Sequence, residues 1–352
     1  MRIWIHKLEA AWRKHAYQRS SISFNLIGAP LSLIYWFLSN LKRLIFWKIP
    51  GNQIRVSNRV ISVGNLTVGG SGKTPVVKYC IELLKNRSIC LISRGYGAQF
   101  EGSFARYDGA TKKWDREGKF GDEVHEVLRL YPSINAAVGK QRALLALEQE
   151  KIEPNRILLY DDALQYWRLA RDVDIVVIHA QKWLGNGYGF PRGPLREGPE
   201  ALQRATAVII THPNNPTKYY QSKLRQLNFR GPVFCLKSEL LLLDHNQQIV
   251  TTPPRKLLAC TGIAFPEQFF DDLKNAGHDI LITKSFADHH QFSEYDMLQL
   301  TNQIDISCAE GVVITEKDFS RWPGIQDIPT YIARQKLNCE NSDTLLNLLI
   351  NH

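Results

Sequence analysis

The run Gly64-Asn-Leu-Thr-Val-Gly-Gly-Ser-Gly-Lys-Thr74 joins an apolar stretch to a helix-forming one through a glycine-rich turn ending in Gly72-Lys73-Thr74. Such a turn presents backbone N–H groups and the positive end of a helix, which together hold phosphate oxygens. Lys73 sits where an ammonium reaches the β- and γ-phosphates, and Thr74 where a hydroxyl joins the coordination of Mg²⁺. Strict phosphate-loop spacing asks for a glycine five residues before Gly72, and Thr67 stands there instead. Val68, Gly69, Gly70 and Ser71 complete the turn, and the two glycines keep it permissive. The plain alternative is a glycine-rich turn with no nucleotide role; the position of Gly-Lys-Thr between strand and helix argues against it.

Asp161-Asp162 closes the apolar run Ile157-Leu158-Leu159-Tyr160, so two carboxylates stand at a strand end where they can hold the Mg²⁺ of a nucleotide. Ordinary turn chemistry uses the same residues, and the phosphate turn upstream tips the balance. Asp122-Glu123, after Gly121, offers a carboxylate to take a proton from an acceptor hydroxyl. Pro194-Leu195-Arg196-Glu197 sets a guanidinium beside a carboxylate, suited to charge stabilisation and metal contact in phosphoryl transfer. On a loop such a pair is more often simply solvated. Asp288-His289-His290 has metal-ligating residue types, yet a surface histidine cluster accounts for it equally well. It also carries the letters of a phosphoesterase superfamily, whose further aspartate motifs are missing here.

These groups need a scaffold, and apolar runs at residues 60–63, 88–93, 156–160, 174–178 and 207–211 recur at the interval of alternating strands and helices. The pattern predicts an α/β fold: a P-loop NTPase-like parallel sheet wrapped by helices, with ligands gathered at the carboxyl ends of its strands. Polar clusters Ser93-Arg94-Gly95-Tyr96-Gly97 and Thr211-His212-Pro213 fall at those ends. Around 214–242 the character shifts to an extended stretch, and strands resume at 256–261 and 311–315. We expect four regions: a basic and apolar N-terminal segment at 1–50, the P-loop domain at 51–231, a smaller α/β domain at 232–335 and a C-terminal helix at 336–352.

The net charge of +10 is concentrated at the start, where residues 1–59 hold ten Lys or Arg against Glu9 alone. The rest is nearly neutral, so nucleic acid is not the expected partner, and a basic arm beside an apolar segment points to an anionic membrane surface. Residues 22–41 carry no charge, but Asn25, Gly28, Pro30 and Asn40 interrupt them. From Leu31 onward Ile34, Phe37, Leu38, Leu41, Leu44 and Ile45 recur at helical spacing, with Trp36 and Trp47 suited to a membrane boundary. The reading is a membrane-interfacial helix, peripheral or shallowly anchored, with a spanning anchor and a core-packed helix as alternatives. No cleavable signal is evident, so the catalytic body is expected in the cytosol. The six cysteines are scattered, as reduced buried thiols would be.

In order, the phosphate turn through Pro75, Ser93–Gly97, Gly121–Glu123, Asp161-Asp162, Pro194–Glu197, Asp288-His289 and Thr315-Glu-Lys-Asp318 closely resemble the tetraacyldisaccharide 4'-kinase family, the lipid A 4'-kinases of Gram-negative bacteria. The resemblance implies transfer of the ATP γ-phosphate, with Mg²⁺, to the 4'-hydroxyl of an acylated disaccharide lipid at the cytoplasmic face of the inner membrane. No obligate protein partner is implied. It makes Lys73 catalytic and places residues 67 to 74 on the nucleotide. Thr74, Asp161, Asp162 and Glu197 fall to the metal, and Arg94, Tyr96, Gln165 and Arg196 to the substrate. Asp122 becomes the proton acceptor, paired with His289 from the smaller domain. Three departures stand out: Ala163 where the family has glycine, Tyr166 where it has histidine, and His179 where an acidic residue is usual. They leave open a nucleotide-binding membrane protein with lost or altered catalysis. A P-loop GTPase or metallochaperone-like ATPase would need a guanine-reading element or a metal-binding cluster, and neither is apparent.

Overall fold

The structure is a computed structural model that describes residues 11–17, 22–49, 51–68, 72–252, 254, 256–263, 266–288, 290–325 and 327–351, with 22–27 described by backbone only. Of the expected site residues, Gly69, Gly70, Ser71 and His289 lie outside the described ones. The chain forms two compact units, one of residues up to Lys237 together with those from Asn338, the other Ser238–Leu337. The boundaries run a few residues beyond the 232 and 335 read from the sequence.

The first unit begins with a helical segment at 11–17 and helix α1(Ile22–Lys48). Its strands are β1(Val60–Gly64), β2(Ile89–Ser93), β3(Gln99–Phe100), β4(Phe104–Asp108), β5(Lys113–Trp114), β6(Gly118–Lys119), β7(Asn135–Gly139), β8(Ile157–Asp161), β9(Val173–His179), β10(Ala207–Thr211) and the first part of β11(Val233–Leu243). The main sheet runs β5-β4-β7-β2-β8-β1-β9-β10-β11. From β7 to β11 every pairing is parallel, and β4 and β5 add an antiparallel edge. Strands β1, β2, β8, β9 and β10 are buried at every residue, as continuous apolar runs in a sheet covered on both faces must be. One face packs Leu66, Val176, Ile178, Ile210, Tyr220 and Leu224; the other packs Val60, Ile92, Leu145, Leu158 and Tyr160.

Helices α2(Lys73–Leu83), α3(Asp122–Leu130), α4(Arg142–Ile152) and α5(Thr217–Gln226) cover this sheet, with a last helix at the chain's end. Helix α5 corrects the expectation of an extended 214–242: Tyr220 and Leu224, one helical turn apart, bury a single stripe, and extension begins only at Val233. The predicted C-terminal helix is also shorter than 336–352. Residues to Cys339 complete a strand that begins at Thr330, and the last helix occupies Ser342–Asn351. Arg59, just ahead of β1, donates to the carbonyls of Leu348 (3.0 Å) and Leu349 (2.5 Å), a cation on the open end of that helix.

The second unit contains β12(Lys256–Thr261), β13(Asp279–Ser285), β14(Val312–Thr315) and β15(Thr330–Cys339) in the parallel order β13-β12-β14-β15, with helices α6(Pro266–Asn275), α7(Glu294–Ser307) and α8(Glu316–Phe319). The final helix of the first unit is then α9(Ser342–Asn351). Thr315-Glu-Lys-Asp318 has an architectural role here. The buried Asp318 carboxylate accepts from the hydroxyls of Thr261 (2.7 Å) and Thr315 (2.6 Å), from the Gly262 amide (3.1 Å) and from Arg321 (2.9 Å). It thereby ties together the ends of β12 and β14. Lys317 pairs with Asp288 at 3.2 Å, anchoring the turn before His289.

Candidate active site

β1 lies between β8 and β9, in a register that sets Val63 beside Asp161. The chain leaving β1 and the chain leaving β8 therefore emerge at one place. The Asp162 amide donates to the Val63 carbonyl (2.9 Å), and Gly72, in the left-handed region at φ 79°, delivers the chain into α2. Lys73 turns back from the first residue of that helix, its ammonium 3.1 Å from Asn65 Oδ1 and 3.4 Å from Asp162 Oδ1. Arg196 forks onto both oxygens of Asp162, at 2.9 and 2.8 Å. Thr67, Val68, Lys73, Asp161, Asp162 and Arg196 are thus brought together.

The loop carrying Arg196 is pinned to the phosphate turn: Val68 N–H donates to Pro194 (2.7 Å) and Arg196 N–H to Leu66 (2.7 Å). Arg196 and Glu197 do not pair with each other. Glu197 accepts from Arg204 at 2.6 Å, leaving its buried Oε1 with no hydrogen-bond partner. Gln165 donates to the Asn65 carbonyl (3.0 Å). A cavity of about 360 Å³ opens beside these groups, lined by Tyr35, Trp36 and Arg43 of α1 and by Gln165, Arg196 and Glu197. Arg94, Tyr96 and Asp122 are exposed, with Asp122 opening α3 behind Gly121. Among the described residues, no hydrogen bond or ion pair ties Arg94 or Tyr96 to the converged cluster.

Electrostatics separate the two aspartates. Burial pushes the Asp161 carboxyl up, the Glu123 and Asp162 carboxylates add to this, and Lys73 and Arg142 only partly offset it, leaving a value of about 7. Burial also works against ionisation of Asp162, but the Lys73 and Arg196 charges outweigh it and hold that carboxyl below the usual range. Asp161 Oδ1 is buried without a hydrogen-bond partner, and such an atom calls for a ligand.

Sequence reasoning missed Arg142 and Asn65. Arg142 donates to the carbonyls of Asp161 (2.9 Å) and Asp162 (3.1 Å), holding the turn that presents both carboxylates. Its guanidinium lies 4.5 Å from the centre of the Tyr166 ring, and the Tyr166 hydroxyl accepts from the Ala143 amide (3.0 Å) at the start of α4. Tyr166 therefore braces the arginine that shapes the aspartate turn. The positive φ of this turn falls on Asp162 (51°) and not on Ala163, so alanine at 163 costs no backbone freedom. His179 is buried at the end of β9, stacked on His212 with ring centres 4.7 Å apart.

A family model described as "Tetraacyldisaccharide-1-P 4'-kinase" matches residues 24–352. The tetraacyldisaccharide 4'-kinase of Shewanella halifaxensis is 35% identical over 326 residues, covering 90% of this chain and 88% of that protein. That of Desulfotalea psychrophila is 31% identical over 331 residues, covering 91% and 94%. A crystal structure of LpxK from Aquifex aeolicus in complex with ATP superposes with a TM-score of 0.71 at 26% identity, covering 91% of this chain and 96% of that one.

Proposed function

The chain belongs to the tetraacyldisaccharide-1-P 4'-kinase family, and from that premise we propose how its residues carry out ATP-dependent phosphorylation of the 4'-hydroxyl of tetraacyldisaccharide 1-phosphate in lipid A biosynthesis. The observation that carries the assignment is the convergence of Lys73, Asp161, Asp162 and Arg196 where β1 and β8 end. The phosphate turn and Lys73 bind and orient the ATP phosphates, and Lys73 stabilises charge on the γ-phosphoryl group as it leaves. Asp122 takes the proton of the 4'-hydroxyl. The influence of the neighbouring Glu123 at Asp161 supports this role, because it means that the start of α3 faces the same strand ends. Arg196 and Gln165, at the cavity wall, orient the acceptor, with Arg94 and Tyr96 at its outer contacts. The family resemblance assigns His289 to tune Asp122.

Among the described residues no three His, Cys, Asp or Glu form a ready metal cage, and the oxygen donors present suit Mg²⁺ held jointly with the ATP phosphates. Asp161 Oδ1 and Glu197 Oε1 are buried oxygens lacking partners, Asp162 is held ionised, and Thr74 follows Lys73 on α2. Bound there, Mg²⁺ would neutralise phosphate oxygens. The raised Asp161 carboxyl then has a measurable consequence, since its neutral form predominates below about pH 7 and a cation binds only the ionised form. Loading at pH 6.5 should release a proton from Asp161, and Mg·ATP affinity should weaken as pH falls further. Titration calorimetry in buffers of different ionisation heat reads the released proton; equal heats in all buffers would remove Asp161 as a ligand.

No described helix is long and apolar enough to cross a membrane. Helix α1 nevertheless exposes Leu33 (68%), Ile34, Trp36, Phe37 (60%), Leu38 and Leu44, an apolar face with Lys42, Arg43 and Lys48 toward its end. That face supports peripheral binding at the anionic cytoplasmic surface of the inner membrane, where the acyl chains of the acceptor lie. Replacing Trp36 and Phe37 by glutamate should lower partitioning onto phosphatidylglycerol vesicles at least about tenfold. Undiminished co-sedimentation would exclude α1 as the membrane contact.

The deciding experiment is transfer of labelled γ-phosphate from ATP to tetraacyldisaccharide 1-phosphate in mixed micelles. Turnover supports the kinase reading. ATP binding with no transfer would leave a nucleotide-binding protein without this activity.

A further inference from the structure

The family match begins at residue 24, and the helical segment at 11–17 lies ahead of it in the first unit. Its contacts concentrate on the loop from Gly185 to Leu195. Trp12 Nε1 donates to the Pro191 carbonyl (2.7 Å), with its ring edge-on to Phe190 at 5.7 Å. His15 Nε2 lies 2.9 Å from the Arg192 carbonyl oxygen, and the Asn186 amide donates to the Ala16 carbonyl (2.8 Å). The approach is close enough to require glycine at 185, because a Cβ there would stand 2.6 Å from the Ala16 oxygen. His15 and Ala16 are buried in this contact.

The last residue of the segment reaches the phosphate turn itself. The Tyr17 hydroxyl donates to the Val68 carbonyl at 2.5 Å, while Val68 N–H is already bonded to Pro194 at the far end of the same loop. Both backbone polar groups of Val68 are therefore held, its N–H by the loop and its carbonyl by Tyr17. Fixing Val68 sets where the chain leaves β1 toward Gly72 and Lys73, and a binding group that is already placed needs less reorganisation to receive phosphate.

We propose that Tyr17 is a positioning residue for the phosphate turn: seated by the 11–17 segment on the Gly185–Leu195 loop, its hydroxyl fixes the Val68 carbonyl and so prepares the turn to receive ATP. The proposal rests on the kinase reading only in taking ATP as the ligand of that turn. Burial raises the pKa of this hydroxyl, so it remains a donor throughout the working range.

The test is Tyr17→Phe in the full chain, which keeps the ring and removes the donor. The ATP dissociation constant, measured by calorimetry without lipid, should rise about three- to tenfold, the effect of losing one net hydrogen bond. The KM for ATP should rise in parallel, while the KM for the lipid stays unchanged. An unchanged ATP affinity overturns the proposal. So does a parallel rise in both KM values, which would show general loosening. Wild-type behaviour of Tyr17→Phe beside an impaired Tyr17→Ala also overturns it, because the ring alone would then do the work. Since ATP binding is read without turnover, a wild-type protein that binds ATP but transfers no phosphate would fail the kinase reading and leave this one standing.

Discussion

Asp122→Ala is expected to lower kcat for phosphate transfer about 100- to 10,000-fold, with ATP affinity little changed. The residue opens α3 and is exposed, so its removal leaves no buried cavity. The loss should therefore appear in kcat and not in the melting temperature. His289→Ala tests the partner that the family resemblance assigns. If the two act as one unit, the double variant should be no slower than the slower single variant, since groups that serve a single step do not contribute additively. Single-turnover kinetics with saturating ATP and lipid read this directly. Losses that multiply in the double variant would separate the two residues, and a kcat within about threefold of wild type in Asp122→Ala would end its assignment as proton acceptor.

Lys73→Met should reduce kcat/KM by roughly a hundred- to a thousandfold, as expected when one preorganised charge aimed at the transferring group is lost. Methionine keeps the length of the stem, so packing at the start of α2 should survive. Two consequences follow for the neighbours. Asn65 Oδ1 loses its ammonium donor, and Asp162 loses one counter-charge while keeping its contact with Arg196. Asp161 also loses a charge that now holds its pKa down. The pH dependence of Mg·ATP binding should accordingly move to higher pH in this variant. Activity within tenfold of wild type, or an unmoved binding profile, would mean that Lys73 does not face the phosphates.

The parallel sheet was legible because its strands are continuous apolar runs ended by polar clusters, and burial on both faces demands that pattern. The phosphate turn and Asp161-Asp162 were legible for a related reason, since each is a short motif carried off a strand end, and adjacency of β1 and β8 does the rest. What stayed hidden was chemistry made with backbone. Arg142 acts through carbonyls of residues 161 and 162, a contact 19 and 20 residues away that has no side-chain signature. Helix α5 was masked by Pro-Asn and Gly-Pro flanks, although Tyr220 and Leu224 carried its spacing. In the Arg196-Glu197 dipeptide each side chain takes a separate partner, Asp162 and Arg204, which adjacency in the sequence does not reveal.

Tyr166 stands where the family has histidine, and its two contacts bear on how the chain can change. Its hydroxyl receives the Ala143 amide and its ring carries Arg142, so this side chain and the start of α4 form a matched set. A histidine grafted back at 166 is shorter than tyrosine, and would meet a helix start fitted to a longer side chain. The substitution that looks like a restoration on paper would thus be a disruption in this background. Exchange at 166 is therefore coupled to the residues around 142.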